Sequence, residues 1–167
     1  MLKQVLSGLL ALMALCAPSL AQNASEIARV QAGQSCPGCN LFQADLSYRD
    51  LPGIDVSGAR LRQADLRLAT MNGARFDQAN LSVANLFGAR FTGASFRNAD
   101  LTRAVAVGAH FGSADLGGAT LVGANLSGAE LAQAHGLTQS QLDAACGDNY
   151  TQLPPGMRIS PCRARSH

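Results

Sequence analysis

The stretch SCPGCNL places Cys36 and Cys39 three positions apart, the closest pairing of reactive side chains in the sequence. A C-x-x-C pair serves as a redox dithiol, as half of a zinc site, or as a local structural disulfide. Zinc would need two further ligands, and no other Cys or His lies close by in sequence. Two more cysteines, Cys146 and Cys162, stand near the C-terminus, and the histidines are His110, His135 and His167. No Ser, His and carboxylate set recurs at a workable spacing, and no acid pair stands apart. The many Asp and Asn residues lack the Gly-Asp nonapeptide order of calcium-binding β-rolls. We therefore expect no catalytic residue, no metal and no cofactor.

The remaining residues have to say what holds these groups. At 167 residues the chain has room for one domain of average size. Residues 1–21 read as a secretory signal peptide: Lys3, an apolar run from Val5 to Ala17, Pro18, then the small residues Ser19 and Ala21 spaced as a cleavage site. The run is shorter than the roughly 18 apolar residues that a spanning helix needs, so no stable membrane insertion is expected after cleavage. A lipoprotein anchor at Cys16 is disfavoured, because Leu15 precedes it where a small residue is wanted. Losing Lys3 leaves twelve Arg against eleven Asp and Glu, a net charge of about +1. A nearly neutral chain argues against nucleic-acid binding through a basic surface and against an acidic imitation of DNA. Four cysteines then remain, and an even number in an exported chain reads as disulfides.

Between these ends the sequence repeats every five residues. From CNLFQ at Cys39 to AELAQ at Gln133 nineteen pentapeptides run in unbroken register, each with an apolar central residue. Two positions before the centre the residue is Ala in sixteen of the nineteen, with Cys39, Arg49 and Ile54 as exceptions. The last position of the block is often Gly.

The blocks ADLSY, ADLRL, ANLSV, ANLFG and ANLSG resemble the A(D/N)LXX signature of the pentapeptide-repeat family. That resemblance implies an all-β fold, a right-handed quadrilateral parallel β-helix with one pentapeptide per side and four per coil. The centre and the Ala would point inward and the other three residues outward. Coils stacked at about 4.8 Å give a rod of roughly 20 to 25 Å, in which residues twenty apart lie one above another. Leu41, Leu61, Leu81, Leu101 and Leu121 then form a leucine ladder, and Phe76 stacks with Phe96 and Phe91 with Phe111. Outside, Asp55 lies under Arg75 and Asp77 under Arg97 as exposed pairs, while His110 has Arg90 and Glu130 one coil away on either side.

A solenoid needs its open ends covered, and short helical caps are expected at both. Residues 22–38 form the first cap, with Asn23 as N-cap, Glu26 three later, Ile27 and Val30 on one face and Gly33 as the stop. Residues 39–133 form the β-helix. Residues 134–167 form the second cap and a disulfide-tied tail, with Thr138 as N-cap, Gln141 closing a capping box, Leu137 stapled to Leu142, and Gly147 ending the helix. In this rod Cys39 already holds an inward position, which favours structural closure of Cys36 with Cys39. The length of the rod leaves only local pairing for Cys146 and Cys162.

The implied fold also locates a surface. On the side with centres Leu46, Leu66, Leu86, Ala106 and Leu126, outward Phe87 lies below Val107, with Val105 beside it and Leu68 at the neighbouring corner. Clustered exposed apolar residues are what a partner or self-association site looks like. The expected function is a non-enzymatic exported scaffold, periplasmic or secreted, that binds a protein partner or its own copy. A thiol-disulfide or metal-binding protein working through CPGC is the alternative. A DNA-mimicking, topoisomerase-protecting role, known from some relatives, is disfavoured by the signal peptide and the many outward Arg.

Overall fold

The computed structural model describes residues 19–163; most of the expected signal peptide, and His167, lie outside the described residues. Helix α1 (Ser19–Gln31) comes first, the repeat follows, and helix α2 (Gln139–Asp143) comes before an irregular tail.

Parallel bridges join residues twenty apart, from Asn40 with Arg60 to Asp115 with His135, so four pentapeptides make one coil. Each bridge is isolated, because a side of five residues spends the rest of its length on corners. The wiring recurs through the inner coils. The centre donates its N–H to the coil above, as Leu61 does to Asn80 at 2.7 Å, and the residue before it donates below, as Asn80 does to Ala59 at 2.9 Å. The Ala N–H turns back on its own corner, as from Ala64 to the Leu61 carbonyl at 2.9 Å. Each inner block therefore closes its own turn while pairing in both directions.

That corner sets the last position of the block. From Gly38 to Gly128 it takes a positive φ, which glycine adopts without a steric penalty. Nine other residues adopt it too, among them Tyr48, Leu68 and β-branched Val83 at φ of 59°, 55° and 59°. The frequent Gly at this position reflects left-handed backbone, and not only tolerance of a bend.

The centres and their Ala partners are buried throughout the repeat. Phe76 stacks on Phe96 with ring centroids 4.7 Å apart, Phe91 on Phe111 at 5.4 Å, and the two stacks meet edge to face. Arg49, which occupies an Ala position in the first coil, is exposed. A charge there, next to Asp50 and Pro52 on the outermost strand edge, discourages another chain from pairing with it.

The ladder is longer at both ends than the nineteen blocks. Cys36 is the centre of a twentieth: its N–H donates to the Asp55 carbonyl at 2.8 Å, as Val56 donates to Arg75 one coil on. Beyond Gln133, Asn125 bridges Cys146, Glu130 bridges Gln152, and Gly147 bridges Pro161. The first two of these rungs span 21 and 22 residues because α2 is inserted between their partners, and the third lies within the tail beyond α2.

Several expected details differ. Asn23 lies within α1 rather than capping it, because the helix begins at Ser19. Glu26, instead of closing a box, accepts the Asn40 N–H at 2.7 Å, and Gln31 donates to the Asp45 carbonyl at 2.8 Å, so α1 replaces the coil that would lie below. Gly33 does end the helix, at φ 78°. Thr138 and Gln141 form the capping box of α2, but the helix stops at Asp143 with Ala144 as cap. Gly147 has another role. It pairs with Ser160 and Cys162, and a β-carbon there would lie 2.7 Å from Thr151 Oγ1.

Candidate interaction surface

The cysteines settle into the frame of the rod. Cys36 is bonded to Cys39 with Cα atoms 5.6 Å apart, and Cys146 to Cys162 at 4.7 Å. The first pair occupies a centre and the following inward position, leaving Cys36 only 1 % and Cys39 9 % exposed. A disulfide so placed fills core volume and offers nothing for a substrate thiol to reach. The second pair is half-buried and closes the tail onto the last rungs.

The polar residues pair with one another. On the side with centres Val56, Phe76, Phe96 and Leu116, a shallow groove of about 310 Å³ is lined by Arg75, Asp77, Ser95, Arg97 and Asp115 among others. Arg75 reaches Asp55 at 3.6 Å and Asp77 at 3.4 Å. The expected Asp77 and Arg97 side-chain pair does not form. The backbone N–H of Arg97 and the hydroxyl of Ser95 take Asp77 Oδ1 while Arg75 lies at its Oδ2, and the Arg97 guanidinium turns to Asp115 at 2.5 Å. The Asp115 carboxyl is held below the usual carboxylate range by the Gly117 N–H and then by Arg97. His110 Nδ1 lies 2.7 Å from Glu130, and Arg90, below it, is exposed. Among the described residues no three His, Cys, Asp or Glu side chains gather as metal ligands.

The Leu86 side differs in chemistry from these. Its outward columns begin polar, with Asp45 and Ser47, then Asp65 with Arg67 at 2.7 Å. One coil higher they become apolar. Phe87 is 47 % exposed and sits one rung below half-buried Val107, since Gly88 donates to the Val107 carbonyl at 2.9 Å. Val105 is 40 % exposed and bridges Asn85 below it. Leu68, 47 % exposed, lies across the Gly88 corner: a β-carbon there would come 2.7 Å from Leu68 Cδ2. The ladder thus brings together all four residues of the expected surface.

One member was not anticipated. Val83, 43 % exposed, occupies the opposite corner of the same side, two positions before Asn85. Tyr48, below Leu68 in its column, extends the other border. Its signal lies in the fold and not in the sequence: the corner has a positive φ, where a large apolar residue sits at a steric penalty that Gly would not meet.

The model of pentapeptide repeats matches in eight copies, at residues 39–78, 64–103, 84–121 and 109–145. Among solved structures, the chain is similar to a pentapeptide repeat protein from Nostoc at 26% identity, over 81% of this chain and 87% of that one, with a TM-score of 0.44. A pentapeptide repeat protein from the Arabidopsis thaliana thylakoid lumen is 30% identical over 73% of this chain and 83% of that one, with a TM-score of 0.38. HetL, a Nostoc pentapeptide repeat protein involved in heterocyst differentiation regulation, is 23% identical over 73% of this chain and 58% of that one, with a TM-score of 0.29. No curated protein matches the chain. Pentapeptide-repeat proteins fold as right-handed quadrilateral β-helices, and the twenty-residue coil seen here has the side length and pairing such a helix requires. With repeat copies matched from residue 39 to residue 145, the chain belongs to the pentapeptide-repeat family.

Proposed function

We propose that the mature chain is an exported, non-enzymatic scaffold: a right-handed solenoid, helically capped at both ends, that presents its Leu86 side to a protein. The observation that carries this reading is the exposure of Leu68, Val83, Phe87 and Val105 on one flat side of a rod whose other sides are mainly polar. Contiguous apolar exposure costs solubility, and a rigid ladder holds such side chains in place, so little ordering entropy opposes docking. Export to the periplasm or the medium rests on the signal-like sequence of residues 1–21 and on two disulfide-bonded pairs, which persist in oxidising compartments. The burial of Cys36 and Cys39 weighs against the thiol-disulfide alternative.

The experiment is crosslinking in the native periplasm and medium, with recovery of the bound protein by the wild-type chain and by Phe87→Ser with Val107→Ser. The wild type should capture a specific protein or its own copy, and the double variant should lose it while melting at nearly the same temperature. A double variant that binds as well as the wild type would dismiss this side.

A further inference from the structure

We infer that the occupant of the Leu86 side is an acidic, apolar segment of another protein, whose carboxylates pair with Arg90 and Arg103 while its apolar side chains cover Phe87 and Val107. The inference rests on the reading that this side is an interaction surface, and it names the chemistry of what docks there.

The two arginines border the apolar residues on opposite edges of the side. Val83 donates its N–H to the Thr102 carbonyl at 2.9 Å, which places Arg103 above it in the same corner column. Val105 follows two residues further along that strand. Arg90 comes three positions after Phe87, just past the Gly88 corner that Leu68 fills. A third arginine, Arg62, lies one rung below Ser82, next to the column of Val83. All three are exposed. Among the described residues none of them has a carboxylate partner, whereas Arg67, Arg75 and Arg97 are paired.

The carboxylates in the neighbourhood are already engaged. Asp65 holds Arg67 at 2.7 Å, Asp100 accepts the Thr102 N–H at 2.9 Å, and Glu130 lies 2.7 Å from His110. Exposed apolar area is thus bordered by guanidinium groups that no described carboxylate neutralises. A segment that sets Asp or Glu beside Leu or Phe complements both features. Its carboxylates take charge-assisted hydrogen bonds at the rim, where the apolar contact keeps water away, and they steer the encounter.

Other occupants meet the same charges less well. A second copy brings the same three arginines, and the carboxylates of its own Leu86 side, Asp45 and Asp65, are held by Ser47 and Arg67. An anionic membrane would cover the whole flat side and set its phosphates against Asp45 and Asp65. A short acidic segment need span only the upper coils, where the same columns carry Asn85, Asn125 and Ser127.

The test selects random peptides displayed on phage against the immobilised mature chain, then measures the selected peptides on variants by fluorescence anisotropy. Selected sequences should combine Asp or Glu with Leu, Phe or other apolar residues. Arg90→Ala with Arg103→Ala should weaken their binding by at least about 10-fold and flatten its dependence on salt. Phe87→Ser with Val107→Ser should abolish it. Arg90→Glu with Arg103→Glu should favour synthetic counterparts that carry Lys at each acidic position. The arginine variants should melt as the wild type does, because neither side chain has a partner within the fold. Several results would overturn the inference: a library that yields no binder, selected peptides without an excess of acidic residues, or binding indifferent to the arginine variants. So would capture of phosphatidylglycerol vesicles through these residues, or a wild type of twice the chain mass that Phe87→Ser with Val107→Ser makes monomeric. Peptides that need Phe87 and Val107 but not the arginines would leave the interaction surface standing and dismiss the acidic partner. Peptides that ignore both sets of variants would dismiss both readings.

Discussion

The carboxylate of Glu26 accepts the backbone N–H of Asn40 at 2.7 Å. In every later coil that N–H, the one before the centre, is bonded to the carbonyl of a residue 21 positions earlier, as Arg60 is to Cys39 at 2.8 Å. Glu26 therefore stands in for a backbone carbonyl that the first coil has no lower neighbour to provide. Glu26→Ala should leave a strand edge unpaired and destabilise the protein by about 1 to 2 kcal/mol. Hydrogen exchange read at the Asn40 amide should speed up while exchange at Asn80 stays slow. Unchanged protection at Asn40 would mean that α1 does not close this end.

Inward and outward residues separate sharply in the repeat. Leu81, fully buried between Leu61 and Leu101, should cost about 2 to 5 kcal/mol when changed to Ala. Its neighbour Ser82 faces out, half-buried, and its hydroxyl donates to Asn80 Oδ1 at 2.6 Å. Ser82→Ala should cost less than about 1 kcal/mol. Denaturant melts measure both.

Val83 holds a β-branched side chain at φ 59°. Val83→Gly should raise the stability of the monomer by roughly 1 kcal/mol, since left-handed backbone is penalised for L-residues and not for Gly. The opposite change at Gly136, φ 70°, should destabilise, because a β-carbon there would lie 2.6 Å from the Gly117 nitrogen. Calorimetry on Val83→Gly and Gly136→Ala should give shifts of opposite sign.

The two disulfides should differ in access. Under native conditions a small phosphine followed by alkylation should label Cys146 and Cys162, which are half-buried, before Cys36 and Cys39, which form part of the core. Closing the sixteen-residue separation of the C-terminal pair stabilises by about 3 kcal/mol in the chain-entropy model, against about 2 for the short CPGC loop. Peptide mapping by mass spectrometry gives the order of labelling.

Acid should unfold the rod through its turn aspartates. Asp45 and Asp55 are pulled below the usual carboxylate range by the hydroxyls of Ser47 and Ser57, and Asp148 by the Gly128 N–H. A carboxyl whose folded pKa is depressed contributes stability above its unfolded pKa of about 3.9, and loses it as pH falls through the folded value. The melting temperature, followed by circular dichroism, should be nearly flat from pH 7 to 5 and drop below about pH 4. Asp148→Asn should make that drop shallower.

The period of five was legible in the sequence itself, and the inward rows and the columns twenty apart were expected from the resemblance to the pentapeptide-repeat family, whose four-block coil has a local steric basis. Only a small residue fits inside beside a corner, so Ala marks the register in block after block, and the columns of Leu and Phe follow once four blocks make a coil. Two of the expected caps' details, Gly33 and the Thr138 and Gln141 box, were legible for the same reason: they are satisfied within one turn of helix. What tertiary structure alone decided involves groups with several partners in reach or none in sequence. Cys36 could be read as a centre only once its N–H was seen bonded to Asp55, because Pro37 and the cysteines disguise the block. Cys146 and Gln152 lie on rungs 21 and 22 residues beyond their partners, so no fixed period finds them. Arg97 pairs with Asp115 and not Asp77, whose Oδ1 takes a backbone N–H and a hydroxyl and whose Oδ2 faces Arg75, a competition between flexible side chains that spacing does not rank. Val83 joined the exposed surface because the corner turns its backbone left-handed and outward, whereas its type, read alone, suits the interior of a strand.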